Sequence, residues 1–134
     1  MPLYNTLCII DDDMIFAAIL KKMLQRAIPE AHIIHFQNGL EAYLYLSNNV
    51  TDNFQLPDLL FLDIDMPEMD GWEFLDAFMQ LQSKMIKSIS IYQISSSISV
   101  EDKLKGQQYS FLKGFVSKDL RMDTIQAIVT NNYA

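Results

Sequence analysis

The sequence predicts an α/β fold, five βα units forming a doubly wound five-stranded parallel sheet with helices on both faces. Short apolar runs alternate with longer amphipathic segments along the whole chain. The runs lack the in–out alternation of a sheet with one wet face, so they read as strands buried on both sides. The length of 134 residues suits one domain of this kind and is too short for two ordinary ones.

The elements follow in order. "LYNTLCII" (3–10) is a strand, and "MIFAAILKKMLQRAI" is a helix with Ile15, Ile19 and Met23 spaced to face inward, closed by Pro29. "AHIIHF" (31–36) is a short strand, Asn38-Gly39 turns the chain, and "LEAYLYLSN" is a helix with Leu40, Tyr43 and Leu44 on one face. Pro57 precedes the strand "DLLFLD" (58–63), and "WEFLDAFMQLQ" turns Phe74, Leu75, Phe78 and Leu81 inward. "SISIYQI" (88–94) is the fourth strand, and "VEDKLKG" is a polar helix whose weak apolar face predicts loose packing. "GFVS" (114–117) and "MDTIQAIVTNN", with Met122, Ile125, Ile128 and Val129 inward, complete the series.

Composition excludes several classes of function. A net charge of −7 with scattered basic residues opposes a nucleic-acid surface. No apolar run approaches bilayer-spanning length, and the N-terminus shows no export signal. The single Cys8 permits no internal disulfide and reads as a buried reduced thiol. A cytoplasmic protein without membrane or nucleic-acid partners is the expectation.

Open parallel sheets place their sites beyond the C-terminal strand ends. Here those ends carry Asp11, Asp12 and Asp13; Asp63; Ser95, Ser96 and Ser97; and Lys118. Gathered carboxylates repel unless a cation joins them, and hard cations prefer oxygen ligands. Mg²⁺ commonly takes one or two carboxylates with waters and phosphate oxygens. An aspartate is a competent nucleophile for phosphoryl transfer, and lysine and serine are suitable donors to phosphoryl oxygens. Read alone, Asp63-Ile64-Asp65 equally fits a metal pair or a phosphatase nucleophile with its general acid.

"CIIDDD", "LLFLDIDMPEMDG", "YQISSS" and "GFVSK", in this order at four strand ends, resemble the receiver domain of two-component response regulators over essentially the whole chain. The resemblance implies a flavodoxin-like sheet of order 2-1-3-4-5. It makes Asp63 the phosphoacceptor, with Mg²⁺ held by Asp12, Asp11, Asp63 and the backbone carbonyl of Asp65. Ser95 falls on the hydroxyl switch position, with Ser96 the alternative by one residue of register. Phe115 falls on the aromatic switch position and Lys118 on the family's lysine. It further implies a single receiver domain over 1–134 without an output domain, a monomer or weak dimer, and no enzyme. The phosphoryl donor would be a histidine kinase or histidine phosphotransfer protein. A downstream protein would bind the face of helix 4, strand 5 and helix 5.

Asp13 and Asp70 read as helix caps, and His32 and His35 as structural residues far from the site. Asp119 stands where the family usually has proline after the lysine. A cis bond before a non-proline residue costs roughly 2.5–4 kcal/mol. The expectation is therefore a trans bond with a rearranged loop, or a strained cis bond. Two other readings stay open: a pseudo-receiver that binds partners without phosphorylation, and a haloacid-dehalogenase-type phosphatase. Against the latter, Met66-Pro67 follows Asp65 where that motif has a threonine.

Overall fold

The computed structural model describes residues 4–131. Strands and helices alternate strictly: β1 (Thr6–Ile10), α1 (Met14–Ala27), β2 (His32–Phe36), α2 (Gly39–Asn48), β3 (Leu59–Asp63), α3 (Gly71–Gln82), β4 (Ser90–Ser95), α4 (Val100–Gly106), β5 (Leu112–Ser117) and α5 (Met122–Val129). The expected strand start at Leu3 and helix end at Asn132 lie outside the described residues. All five strands are parallel, in the order β2-β1-β3-β4-β5. The inner strands β1 and β3 are buried along their whole length, whereas the edge strands β2 and β5 are largely half-buried or exposed. That gradient follows from covering the middle of a parallel sheet on both faces.

On one face, Leu7, Ile9, Phe61 and Ile94 pack against Phe16, Leu20 and Leu24 of α1 and Ile125 and Ile128 of α5. On the other, Cys8, Ile10, Leu60 and Leu62 meet Leu46 of α2 and Phe74, Leu75 and Phe78 of α3. Burial pushes the Cys8 thiol well up from its ordinary range, which keeps it protonated. Asp13 caps α1 through Ile15 N and Phe16 N, as expected. Asp70 likewise caps α3, in a reciprocal capping box with Glu73. Gln93 of β4 is fully buried, and neither of its amide atoms has a hydrogen bond among the described residues. No described helix is long and apolar enough to cross a membrane.

Two expected helix faces are only partly right: Met23 and Tyr43 pack half-buried on the core, but the leucines and isoleucines expected beside them do not. α1 buries Phe16, Ala17, Leu20 and Leu24, leaving Ile15 76% and Ile19 51% exposed. Both stripes have helical spacing, so periodicity cannot choose between them. The buried one adds the bulk of Phe16 and the small flank of Ala17, which suits close packing on a sheet. α2 buries Gly39, Ala42 and Leu46, whereas Leu40 and Leu44 face solvent. It docks through its small residues: a Cβ at Gly39 would lie 3.1 Å from the Met69 side chain.

Candidate functional site

The parallel sheet brings the C-terminal ends of β1, β3, β4 and β5 to one edge, where the strand order reverses between β1 and β3. Asp11, Asp12 and Asp63 each place a carboxylate oxygen there, all within 4.8 Å of one another. Asp11 and Asp63 are buried and Asp12 is exposed. Lys118, one residue beyond β5, sets its ammonium 3.1 Å from Asp11 Oδ2 and 3.6 Å from Asp63 Oδ1. The same ammonium lies 4.9 Å from the centre of the Phe16 ring, so α1 props it from below.

The loop after β3 is folded tightly back on itself. Glu68 is left-handed (φ 66°), inside a turn closed by Met69 N–H donating to Pro67 O at 2.8 Å. Gly71 then donates to Ile64 O at 2.8 Å. A Cβ at Gly71 would lie 2.7 Å from Asp63 O and 2.9 Å from Ile64 Cα, both backbone atoms that cannot step aside. Only glycine lets α3 start directly on the strand end that carries Asp63.

Electrostatics separate the two buried carboxylates. Burial pushes Asp63 up from 3.8 to about 7, and the Asp11 charge adds to it. The Lys118 ammonium and the backbone N–H of Asp65 act in the opposite direction. For Lys118, burial lowers the pKa, but Asp11, and then Asp63 and Asp13, more than offset this and hold it above its ordinary value. The ammonium therefore stays charged. Asp11 Oδ1 accepts from Asp13 N at 2.8 Å, while Oδ2 has the Lys118 charge beside it and no directed hydrogen bond. Three carboxylates facing one ammonium leave negative charge uncompensated. An all-oxygen cluster in which the buried Asp11 Oδ2 has only the Lys118 charge beside it suits a hard divalent cation.

The remaining predicted residues fall around this cluster. Asp65 turns its side chain to solvent and its backbone N–H to the Asp63 carboxylate. Ser95 is buried at the end of β4, in register with Ser117, whereas Ser96 is exposed. The Ser95 hydroxyl donates to Ser97 O at 2.7 Å and accepts from Ser97 N at 3.2 Å. Phe115 is half-buried on β5 against α4, its ring 2.8 Å from where a Cβ on Gly106 would stand. The Lys118–Asp119 bond is trans, because no described peptide is cis. Lys118 N–H donates to Ser95 O at 2.9 Å, and Asp119 N–H donates to Ser117 Oγ at 3.1 Å.

His35 departs from expectation. It is not far from the site: Nε2 lies 2.8 Å from the carbonyl oxygen of Asp11. Once β2 is the neighbour of β1, the pairing of Ile9 with His35 brings the end of β2 alongside the acidic loop. The register of β2 on β1, added to the strand order already expected, was the signal that could have found it. Phe16, beneath Lys118, had no comparable signal in the sequence. His32 is exposed.

Similarity to known proteins shows the family. The sequence model of the response regulator receiver domain matches residues 7–130, and the chain belongs to that family of two-component signalling domains. It is 32% identical over 111 residues to stress response regulator protein 1 of Meyerozyma guilliermondii, covering 80% of this chain and 48% of that protein. It is also 32% identical over 82 residues to a protein-glutamate methylesterase/protein-glutamine glutaminase 2 of Shewanella oneidensis, covering 61% of this chain and 22% of that protein. The chain thus spans less than half the length of either relative. In fold it is similar to a two component response regulator from Cytophaga hutchinsonii, with TM-score 0.82, 24% identity and coverage of 96% and 98% of the two chains. It is similar also to the receiver domain of the Arabidopsis thaliana histidine kinase CKI1 complexed with Mg²⁺, with TM-score 0.79, 18% identity and coverage of 95% and 90%.

Proposed function

We propose that Asp63 accepts a phosphoryl group from a histidine kinase or histidine phosphotransfer protein. The observation that carries the reading is a buried carboxylate at the end of β3 that shares the Lys118 ammonium with Asp11. An Asp63 oxygen attacks phosphorus, the bond from phosphorus to the donor imidazole breaks, and the freed imidazole nitrogen takes a proton. Asp11, Asp12 and Asp63, with the Asp65 carbonyl, would hold Mg²⁺, which when bound neutralises charge on the carboxylates and phosphoryl oxygens. Lys118 would pair with a phosphoryl oxygen. A protein donor must touch the rim of the site, and Met14 and Ile15, exposed just after the acidic loop, give it apolar surface to grip.

The acyl phosphate would then draw Ser95 inward, with Phe115 repacking behind it. This shifts the population between two arrangements of the face made by α4, β5 and α5, where a downstream protein binds. The light packing of α4 supports that role. The test is incubation with acetyl phosphate and Mg²⁺ followed by intact-mass measurement. One added phosphoryl group, abolished by Asp63→Asn, is expected. An unmodified, folded protein under every donor would replace this reading with a pseudo-receiver. Sustained turnover of p-nitrophenyl phosphate would replace it with a phosphatase.

A further inference from the structure

The acidic loop after β1 is held from outside by the edge strand β2. Asp11 N–H donates to Phe36 O at 3.1 Å, and Asp11 C=O accepts from His35 Nε2 at 2.8 Å. Adjacent residues of β2 therefore grip both backbone polar groups of one aspartate. A carbonyl cannot donate, so His35 Nε2 carries the proton in this bond. The grip matters because the Asp11 carboxylate is buried and constrained: Oδ1 already accepts from Asp13 N, which leaves Oδ2, 3.1 Å from the Lys118 ammonium, as the oxygen available to a cation. A rotation of the Asp11 backbone would turn Oδ2 away from Lys118 and Asp63. It would also swing Asp12, the next residue, out of the cluster.

We propose that His35 is a positioning residue for the acidic site. Its Nε2–H fixes the Asp11 carbonyl and so sets the direction in which Asp11 and Asp12 present their oxygens to a divalent cation. This rests on the reading of Asp11, Asp12 and Asp63 as the cation site, and it is separable from that reading. Groups hydrogen-bonded to a ligating side chain typically change metal affinity by about 10–100-fold when lost, and a bond to the ligating residue's backbone acts at the lower end of that range.

The experiment is calorimetric titration of Mg²⁺ into the wild type, His35→Phe, His35→Gln and Asp12→Asn, with backbone amide NMR spectra of each recorded before metal is added. Phenylalanine keeps the ring without the donor, and glutamine can place a donor near the Nε2 position. His35→Phe is expected to weaken Mg²⁺ by about tenfold, with His35→Gln recovering to within roughly threefold of the wild type. The Asp12 and Asp13 amide resonances should move in metal-free His35→Phe and return in His35→Gln. Should His35→Phe fail to fold, His35→Asn, whose shorter amide stops short of the carbonyl, takes its place. Mg²⁺ binding by His35→Phe equal to the wild type, with Asp12→Asn impaired, overturns the positioning role and leaves the cation reading intact. A folded wild type that binds no Mg²⁺ overturns both.

Discussion

α3 and α4 flank the same acidic edge and are built differently. α3 has 12 residues, a capping box, and Phe74, Leu75, Phe78 and Leu81 buried. α4 has 7 residues and buries only Gly106, leaving Val100 73% and Leu104 58% exposed. α3 starts on the loop that follows Asp63; α4 starts on the loop that follows Ser95. The flank beside Asp63 is therefore fixed by packing, and the flank beside Ser95 has little packing to hold it. Polar and aromatic ties hold α4 and the segment after it instead. The Lys105 ammonium lies 4.6 Å from the Trp72 ring centre, and Tyr109 OH donates to Asp76 at 2.7 Å. The fully buried Gln93, in register with Phe115, adds an unpaired amide to that side of the sheet.

The contrast can be broken most forcefully at Phe78, which packs 4.8 Å from the Phe111 ring centre. Phe78→Ala should cost about 3–5 kcal/mol in urea unfolding; a loss below about 1 kcal/mol would deny α3 its role as platform. Next is Asp63. Asp63 holds its proton up to about pH 7 in the folded chain and releases it near 3.8 when unfolded, so metal-free stability should fall between those values and level off above. Asp63→Asn removes the cost of ionising a buried carboxylate, so it should flatten that fall and stabilise the protein at pH 8 by on the order of 2 kcal/mol. Thermal melts at pH 5 and pH 8 without metal would measure it, and an unchanged pH slope would refute the burial argument. Asp70→Ala, which removes the α3 cap, should cost about 1 kcal/mol. Leu104→Ala on α4 should change global stability by less than about 0.5 kcal/mol. A larger loss there would erase the asymmetry between the two helices.

Much of this was legible before any coordinates. The strand runs named five parallel strands, and the residues at their ends named the acidic cluster, because a parallel sheet fixes which ends meet. Asp13 and Asp70 were readable as caps because capping needs only local chain geometry. What stayed hidden depended on tertiary choice. α1 carries two stripes of helical period, and only docking distinguishes Phe16 and Leu20 from Ile15 and Ile19. α2 hides its face in Gly39 and Ala42, which carry little hydrophobic signal. His35 needed strand order and register together, since nothing in its own neighbourhood marks it.

The Ser95 hydroxyl is already engaged with Ser97 as both donor and acceptor. A phosphoryl oxygen on Asp63 would therefore exchange one hydrogen bond for another. A neutral bond contributes about 1 kcal/mol and one to a charged oxygen about 1.5–3 kcal/mol. The difference, on the order of 1–2 kcal/mol, is a bias of about five- to thirtyfold. Through this contact alone, the domain would act as a weighted balance and not as a latch. A bias of that size can favour strongly only an arrangement that unmodified molecules already visit, and that resting share would be the floor of the output.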